Sequence, residues 1–225
     1  MKTVSVAIDG PAGAGKSTIA RRLASQLGFR YVDTGAIYRT VAYFMDLWGV
    51  SPKDADGVNR YIDELTVGIE YDEDGLQHMI MNGMDVTGDI RTQDISQKAS
   101  LISAHACVRE ILLDMQRDLA KQYNVIMDGR DIGTVVLPKA TVKIFLTASA
   151  EVRAKRRCEE LLAKGQKAKY ETVLKEIQQR DYQDTHREIA PLKMARDSIK
   201  VDTSEMNVDE VVAAILKIVQ EKAGL

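Results

Sequence analysis

Cysteine and histidine are scarce in this sequence of 225 residues. The two cysteines, Cys107 and Cys158, form no CxxC pair, and the three histidines lack the spacing of metal ligands. This favours free thiols in a reducing compartment and argues against a disulfide framework or a zinc site. No apolar run approaches the ~20 residues of a membrane-spanning helix, and the run at the amino terminus is too short for a signal peptide. We therefore expect a cytoplasmic protein.

The sequence also lacks a large excess of positive or negative charge. The sequence has 31 basic and 33 acidic residues, a formal net charge of −2. Nothing in this balance indicates a nucleic-acid or membrane partner, so any charge that binds phosphate must be arranged locally. The length suits one α/β domain or a core with an inserted subdomain. We expect a monomer that binds small molecules.

Strand-like and helix-like patterns alternate at the start of the chain. Val4–Ile8 and Phe29–Val32 are short apolar runs, which predict buried strands. Ser17–Leu27 and Ala36–Trp48 have helical spacing, and each is followed by glycine. Strand followed by helix, twice in succession, predicts a parallel sheet with helices on its faces.

The middle of the chain has a different pattern. Leu65–Tyr71, Gln77–Met81 and Met84–Val86 are separated by turn sequences, which predicts a small antiparallel unit inserted into the α/β core. The remaining elements return to the first pattern. They are helices over residues 91–123 (interrupted near His105–Val108), Ala150–Lys164, Tyr170–Asp184 and Val208–Lys222, and strands over Val125–Met127, Val142–Leu146 and Ile199–Val201.

A glycine-rich motif lies between the first strand and the first helix. It reads Gly-Pro-Ala-Gly-Ala-Gly-Lys-Ser and fits the phosphate-binding P-loop pattern G-x-x-x-x-G-K-[ST]. Its glycines let backbone N–H groups surround phosphate oxygens, Lys16 reaches the β- and γ-phosphates, and Ser17 ligates Mg²⁺. The alternative, a glycine-rich turn with an accidental lysine, is disfavoured by the flanking strand and helix. The predicted nucleotide-binding residues are Gly10, Pro11, Ala12, Gly13, Ala14, Gly15, Lys16, Ser17 and Thr18.

A second acidic position completes the predicted magnesium site. Asp128 ends the apolar strand Val125–Met127 and is the natural second partner of Mg²⁺, although a strand-end aspartate could also simply cap a turn. The Asn-Lys-x-Asp run of guanine-specific proteins is absent. Asp-x-x-Gly matches at Asp72 and Asp85 fall in the hairpin region, where we interpret them as turn chemistry.

Three further clusters indicate a site for a second substrate. Residues 33–39 and 128–131 each follow a predicted strand, and the loops after parallel strands meet at the edge where the P-loop lies. Arg180, Asp184 and Arg187 have the spacing of one helix stripe. Taken alone, such a stripe is more typical of a solvated ion-pair face.

Four motifs in order give a more specific interpretation. Asp-Gly-Pro-Ala-Gly-Ala-Gly-Lys-Ser, Asp-Thr-Gly-Ala-Ile-Tyr-Arg, Asp-Gly-Arg-Asp-Ile-Gly-Thr-Val-Val and Arg-Asp-x-x-Asp-x-x-Arg together resemble the bacterial cytidylate kinase family, over nearly the whole chain. The resemblance implies Mg²⁺-assisted transfer of the γ-phosphoryl group of ATP to CMP or dCMP. It also implies a three-layer α/β/α P-loop fold with a monophosphate-binding insertion that contains the small antiparallel sheet, and a helical lid. The corresponding division is a core of residues 1–62, 106–148 and 190–225, an insertion of 63–105, and a lid with flanking helices at 149–189.

The resemblance also assigns roles to individual residues. Contacts to the acceptor phosphate are implied for Thr34, Tyr38, Arg39 and Arg130, contacts to the ribose for Arg180 and Asp184, and contacts to cytosine for Ser100, Arg109, Asp131 and Arg187. Thr34 replaces the usual serine and keeps the hydroxyl. Lid arginines are implied at Arg153, Arg156 and Arg157, where a solvated basic helix is the alternative. Lys16, Arg130, Arg153 and Arg157 are the expected catalytic residues.

Two other functions are compatible with the P-loop. A kinase for a different small metabolite would share the loop and the lid without needing the cytosine contacts. A nucleotide-dependent switch would hydrolyse slowly without an acceptor. The adenine pocket is the least defined part of the site, and topology places it near residues 201–204, after the last strand.

Overall fold

The computed structural model describes residues 3–163 and 165–225 as eight strands and eight α-helices, with a few shorter helical turns. The strands are β1 (Ser5–Asp9), β2 (Arg30–Asp33), β3 (Val67–Tyr71), β4 (Gln77–Met81), β5 (Met84–Asp85), β6 (Val125–Gly129), β7 (Val142–Thr147) and β8 (Ile199–Asp202). The helices are α1 (Lys16–Leu27), α2 (Thr34–Leu47), α3 (Ala55–Tyr61), α4 (Gln93–Ile102), α5 (Ala106–Gln122), α6 (Ala150–Ala163), α7 (Tyr170–His186) and α8 (Val208–Ala223). Residues Ile132–Val136 form a π-helical turn.

The main sheet is parallel and has the order β2-β6-β1-β7-β8. Its central strands are apolar on both faces. Val6 and Ile8 of β1 pack in one core with α1 and α8, whereas Ala7 packs in the other core with α2, α4 and α5. Because successive side chains of a strand point to opposite faces, helices cover both sides. The predicted three-layer α/β/α arrangement is therefore confirmed.

The small sheet is antiparallel, with the order β3-β4-β5. Asn82 and Gly83 both have positive φ, 48° and 83°, as the two central residues of a tight hairpin turn require. Asp72 accepts backbone hydrogen bonds from Asp74 and Leu76. The predicted hairpin and the turn chemistry at Asp72 are confirmed.

Several predicted boundaries are wrong. Helix α2 begins at Thr34 and not at Ala36, because the Asp33 carboxylate accepts a hydrogen bond from the Ala36 N–H at 2.8 Å and caps the helix early. The interruption between α4 and α5 comprises residues 103–105, so it includes His105 as predicted but not residues 106–108. Helix α3 and the π-helical turn were not predicted. The predicted last residue of the lid helix, Lys164, lies outside the described residues.

The predicted helix stripe is also only partly correct. Arg180 and Asp184 lie on α7, but this helix ends at His186 and Arg187 is its extended C-cap residue, with φ −63° and ψ 142°. Asp184 is buried, which excludes the solvated ion-pair face as an explanation for it. The division into core, insertion and lid remains a prediction.

Cys107 and Cys158 are free thiols, as expected. Within residues 3–163 and 165–225, no helix has the length and apolar character needed to cross a membrane.

Candidate active site

The phosphate-binding loop follows β1 and passes directly over β7. At Gly10, with φ 151°, an added Cβ would lie 1.9 Å from the Leu146 carbonyl oxygen, so only glycine fits. Gly13 and Gly15 have φ values of 75° and 86°, which L side chains rarely adopt. Helix α1 starts at Lys16 without a side-chain cap. Its first N–H groups and its dipole are therefore directed at the loop, where they can bind phosphate.

Lys16 is directed into the loop. Its side chain is buried, and Nζ donates a hydrogen bond to the Pro11 carbonyl at 2.8 Å. Burial lowers the pKa of Lys16, and the neighbouring Arg130 adds to this effect, whereas Asp128 and Asp184 oppose it. Lys16 therefore lies where the P-loop motif predicts it, among both positive and negative groups.

A hydroxyl and a carboxylate form the predicted magnesium site. Ser17 Oγ donates to Asp128 Oδ2 at 2.8 Å, and the Tyr31 hydroxyl donates to Asp128 Oδ1 at 2.9 Å. Burial, and then the carboxylate of Asp33, raise the pKa of Asp128 to about 6, and Lys16 acts in the opposite direction. A cation at this position would stabilise the charged carboxylate.

The donor set fits Mg²⁺. Both side chains offer oxygen, the ligand that this hard cation prefers. Within the described part of the chain, no group of three or more His, Cys, Asp or Glu side chains can hold a metal by itself. This agrees with the usual binding of Mg²⁺ by one or two protein groups together with substrate phosphates and water.

Arginines from α2, from the segment after β6 and from α7 lie close together beside the loop. Arg130 Nε donates to Asp184 Oδ2 at 2.7 Å, and Arg39 Nη2 lies 3.0 Å from Asp33 Oδ2. Within residues 3–163 and 165–225, the Nε atoms of Arg39 and Arg180 are buried without a hydrogen-bond partner. Burial, together with Arg130, lowers the pKa of Arg180 to about 10. Unpaired guanidinium donors beside other cations form a site that an anion would complete.

The carboxylate of Asp184 balances part of this charge. Burial alone would raise the pKa of Asp184, but the guanidinium groups of Arg130 and Arg180 outweigh burial and hold it below the usual range. Ser100 Oγ also donates to Asp184, at 3.2 Å. Ser100 thus contacts a predicted ribose-binding residue, and not the carboxylate of Asp131.

Two other residues predicted at the acceptor phosphate lie on α2. The Thr34 hydroxyl donates to the Asp128 carbonyl at 2.7 Å, so in this structure its proton is not available to a phosphate. Tyr38 is mostly buried, and the guanidinium of Arg109 lies 5.7 Å from the centre of its ring. Burial raises the pKa of Tyr38 to about 12, which keeps its hydroxyl protonated at neutral pH.

Asp131 lies between two arginines. Arg109 Nη2 donates to its Oδ2, and Arg187 Nη2 donates to its Oδ1 at 3.1 Å. Ser103 joins the group, since its side-chain oxygen accepts from Arg187 at 3.0 Å and its carbonyl accepts from Arg109 at 3.3 Å. The structure therefore brings together three of the four predicted cytosine contacts, and it adds Ser103.

The predicted lid arginines have different surroundings. Arg153 is buried, donates to the Ala12 carbonyl of the loop at 2.9 Å and pairs with Asp181. Arg156 donates to the side chain and the carbonyl of Thr203, at 3.0 and 2.6 Å. The alternative of a solvated basic helix is therefore wrong for Arg153 and Arg156. Arg157 pairs with Glu160 on a more exposed part of α6.

A single cleft of about 1290 Å³ joins these groups. It extends from the phosphate loop past Arg130 and Asp184 to Asp131, and it also reaches Thr203, within the predicted adenine region. Of the predicted site residues, Gly10, Pro11 and Arg109 are not among those that line the cleft, and Arg109 reaches it through its bond to Asp131. The volume exceeds the 300–1,000 Å³ of a typical single-ligand pocket.

Sequence reasoning missed four residues that hold the site in place. They are Asp9, Tyr31, Asp33 and Gln77, which bond to groups distant in sequence or cap a helix. Asp9 and Asp33 occur within the quoted motifs, at the ends of predicted strands, and this was a usable signal. No periodicity or motif distinguishes Tyr31 or Gln77.

The fold is similar to that of a solved protein. The crystal structure of an uncharacterized protein from Eubacterium ventriosum covers 97% of this chain and 99% of its own, with a TM-score of 0.52 and 14% sequence identity. At this identity the likeness concerns the fold alone.

Sequence comparison is more specific. A family model described as cytidylate kinase matches residues 6–221. The cytidylate kinase of Carboxydothermus hydrogenoformans is 49% identical over 217 residues, which are 96% of this chain and 97% of that protein. The cytidylate kinase of Lactobacillus johnsonii is 47% identical over 219 residues, 97% of this chain and 95% of that protein. The chain belongs to the cytidylate kinase family.

Proposed function

We propose that this protein transfers the γ-phosphoryl group of ATP to CMP or dCMP and forms ADP and CDP or dCDP. The observation that carries the proposal is the buried group around Asp131: Asp131 and Arg187 line the same cleft as the phosphate loop, and Arg109 pairs with Asp131. Family membership supports the reaction, and the contacts of these side chains support the choice of acceptor.

The chemistry of this group matches cytosine. Cytosine presents an amino donor at N4 and acceptors at N3 and O2. The Asp131 carboxylate can accept from N4, and the guanidinium groups of Arg109 and Arg187 can donate to N3 and O2. Uracil reverses the pattern at N3 and at position 4, which would leave buried groups unpaired at a cost of about 1–3 kcal/mol each.

The unpaired arginine donors support the position of the acceptor phosphate. Arg39, Arg130 and Arg180 line the same cleft as the phosphate loop and Asp131, and among the described residues the Nε atoms of Arg39 and Arg180 have no hydrogen-bond partner. A phosphate dianion there would supply acceptors to both. It would also relieve the repulsion between Arg130 and Arg180 that lowers the pKa of Arg180.

The mechanism requires no general base, because the attacking oxygen of a nucleoside monophosphate is already anionic. Catalysis then consists of aligning the two phosphates and neutralising the charge on the transferring group. We assign neutralisation to Lys16, Arg130, Arg153 and Arg157. Closure of the lid would exclude water, which otherwise competes as an acceptor.

Ser17 and Asp128 would hold Mg²⁺. When bound, the ion would neutralise charge on the β- and γ-phosphates. Tyr31 fixes the carboxylate of Asp128 through its 2.9 Å hydrogen bond, so the orientation of this group is set before nucleotide binds. We also propose that the protein acts as a monomer in the cytoplasm.

A coupled assay of ADP formation with a panel of acceptors tests the function. We expect strong stimulation by CMP and dCMP, with UMP at least about tenfold poorer in kcat/KM. Equal rates with CMP and UMP would contradict the cytosine pocket. Stimulation only by a different phosphorylatable metabolite would instead support the other kinase hypothesis, and slow ADP release that no acceptor changes would support a nucleotide switch.

A further inference from the structure

Asp9 is a buried carboxylate whose two oxygens both bond to the backbone of the π-helical turn. It ends β1, directly before Gly10, and only 3% of its surface is exposed. Its Oδ1 accepts from the Ile132 N–H at 2.8 Å, and its Oδ2 accepts from the Gly133 N–H at 2.7 Å. Asp9 therefore caps the first two N–H groups of the π-helical turn, from more than 120 residues away in sequence.

The residue at the N-cap position of that turn is Asp131. An aspartate at an N-cap normally accepts hydrogen bonds from the N–H groups that follow it. Asp131 makes no such bond, and both its oxygens instead accept from Arg109 and Arg187. Because Asp9 already satisfies the Ile132 and Gly133 N–H groups, the side chain of Asp131 is free to face the cleft.

We propose that Asp9 is a positioning residue for nucleobase recognition, which holds the Asp131 side chain toward the base by capping the turn in its place. This inference rests on the proposed function, since it takes Asp131 as the cytosine contact. The two carboxylates at the start of the turn then have different roles. Asp9 accepts the backbone hydrogen bonds, and Asp131 binds the base.

A purely structural role of Asp9 and a positioning role predict different effects on the two substrates. If Asp9 only stabilised the end of β1, its loss would disturb the adjacent phosphate loop and the binding of ATP at least as much as the binding of CMP. If Asp9 positions Asp131, its loss should mainly weaken the binding of CMP. The Asp131 carboxylate would then turn toward the freed N–H groups and leave the base without its acceptor.

Asp9→Asn is the test variant, because it keeps the shape and replaces one acceptor oxygen with an NH₂ group that cannot accept. We expect the KM for CMP to rise about tenfold, the preference for CMP over UMP to fall, and the KM for ATP to change less than about twofold. Asp54→Asn is the matched control. Asp54 caps α3 by accepting from the Gly57 N–H at 3.0 Å, outside the cleft, and its exchange should leave all three values unchanged.

A double-mutant cycle with Asp131→Ala separates this inference from the proposed function. In the Asp131→Ala background, Asp9→Asn should raise the KM for CMP by less than about twofold, since the side chain that it positions is gone. Additive effects, an equal rise in the KM for ATP, or an Asp131→Ala variant with unchanged KM for CMP would overturn the positioning role. A wild-type protein without CMP-dependent ADP formation would overturn the proposed function itself.

Amide signals of the wild-type protein supply a measurement that depends neither on activity nor on the folding of the variant. The Ile132 and Gly133 N–H groups should exchange slowly with solvent, and their proton shifts should lie downfield as expected for hydrogen bonds to a carboxylate. Where Asp9→Asn folds, those two shifts should move upfield together with the guanidinium N–H signals of Arg109 and Arg187. Fast exchange at both amides in the wild type would overturn the inference.

Discussion

The side-chain amide of Gln77 hydrogen-bonds both backbone groups of Asp33. Its Oε1 accepts from the Asp33 N–H at 2.7 Å, and its Nε2 donates to the Asp33 carbonyl at 3.3 Å. Asp33 ends β2, the edge strand of the parallel sheet, and Gln77 begins β4 of the small sheet. A side chain thus pairs with an edge that lacks a neighbouring strand, and it joins the small sheet to the core beside the cleft.

Gln77→Ala should weaken this junction. Loss of the two bonds is expected to lower the free energy of unfolding by about 1–2 kcal/mol and the Tm by roughly 2–8 °C. Because Asp33 caps α2 and pairs with Arg39, kcat/KM for CMP should fall as well. Thermal unfolding followed by circular dichroism, with steady-state kinetics, measures both effects. Gln122→Ala, at an exposed position of α5, is the control, and an equal loss of stability there would contradict the role of Gln77.

Asp131→Ala should act mainly on the binding of CMP. Loss of a charged hydrogen-bond acceptor predicts a rise of about 10–100-fold in the KM for CMP, with a smaller change in kcat. Steady-state kinetics at saturating ATP measures this division. The Tm is measured alongside, because Arg109 and Arg187 lose their shared counter-charge. Asp118→Ala removes an exposed carboxylate from α5 and should leave the kinetics unchanged. A fall confined to kcat would contradict the assignment of Asp131.

Lys16→Ala should act mainly on turnover. Loss of a positioned cation at the transferring phosphoryl group predicts a fall in kcat of about 10²–10³-fold, with a smaller change in the KM for CMP. Single-turnover measurements separate the chemical step from binding and product release. Lys217→Ala, on the exposed face of α8, serves as the control. If the KM for CMP changed more than kcat, Lys16 would not have the predicted role.

Much of the site could be predicted because its motifs are local in sequence. The P-loop pattern combines a strand, a turn that requires glycine and a helix start within a few residues, so its chemistry is readable without the rest of the chain. Parallel pairing then places Asp33 and Asp128 side by side, because β2 and β6 are neighbours in register. The hairpin at Asn82-Gly83 was predictable for the same local reason.

Other features depend on contacts that no local pattern encodes. The first N–H groups of the π-helical turn donate to the side chain of Asp9, which is distant in sequence. Arg187 was placed on the stripe of α7 by spacing alone, yet the helix ends one residue before it. Its guanidinium reaches Asp131 and Ser103 from the extended segment, where its Nε also donates to the Ala190 carbonyl at 2.7 Å. Helical periodicity contains no information on such a position.

Ser17→Ala should weaken the response to Mg²⁺. Loss of even an indirect metal partner typically costs about 10–100-fold in affinity, so the Mg²⁺ concentration that gives half-maximal rate should rise at least about tenfold. Ser17→Thr keeps the hydroxyl that the P-loop pattern allows and should stay near the wild-type value. Rates measured across a Mg²⁺ titration at fixed ATP give the half-maximal Mg²⁺ concentration of each variant. An unchanged Mg²⁺ dependence in Ser17→Ala would contradict the predicted ligand.

His78 predicts a pH dependence of stability in the small sheet. Its Nδ1 lies 2.7 Å from Asp85 Oδ2 and its Nε2 lies 3.3 Å from Asp72 Oδ2. The hydrogen bond to Asp85, and then that to Asp72, raise the pKa of His78, because both carboxylates favour the protonated ring. Since the pKa is higher in the folded protein than in the unfolded chain, the bridge stabilises the fold fully below the unfolded pKa and loses this effect as the pH rises through the folded pKa.

His78→Gln should therefore destabilise the protein more in mild acid than in mild base. Urea unfolding of the wild type and the variant at pH 5.5 and pH 9 measures the difference at each pH. The bridging groups are exposed, so added salt should reduce the acid-side difference. His105→Gln is the control, because His105 Nε2 contacts the uncharged backbone carbonyl of Pro52 at 2.8 Å. A stability difference for His78→Gln that stayed constant between the two pH values would show that the charged bridge contributes nothing.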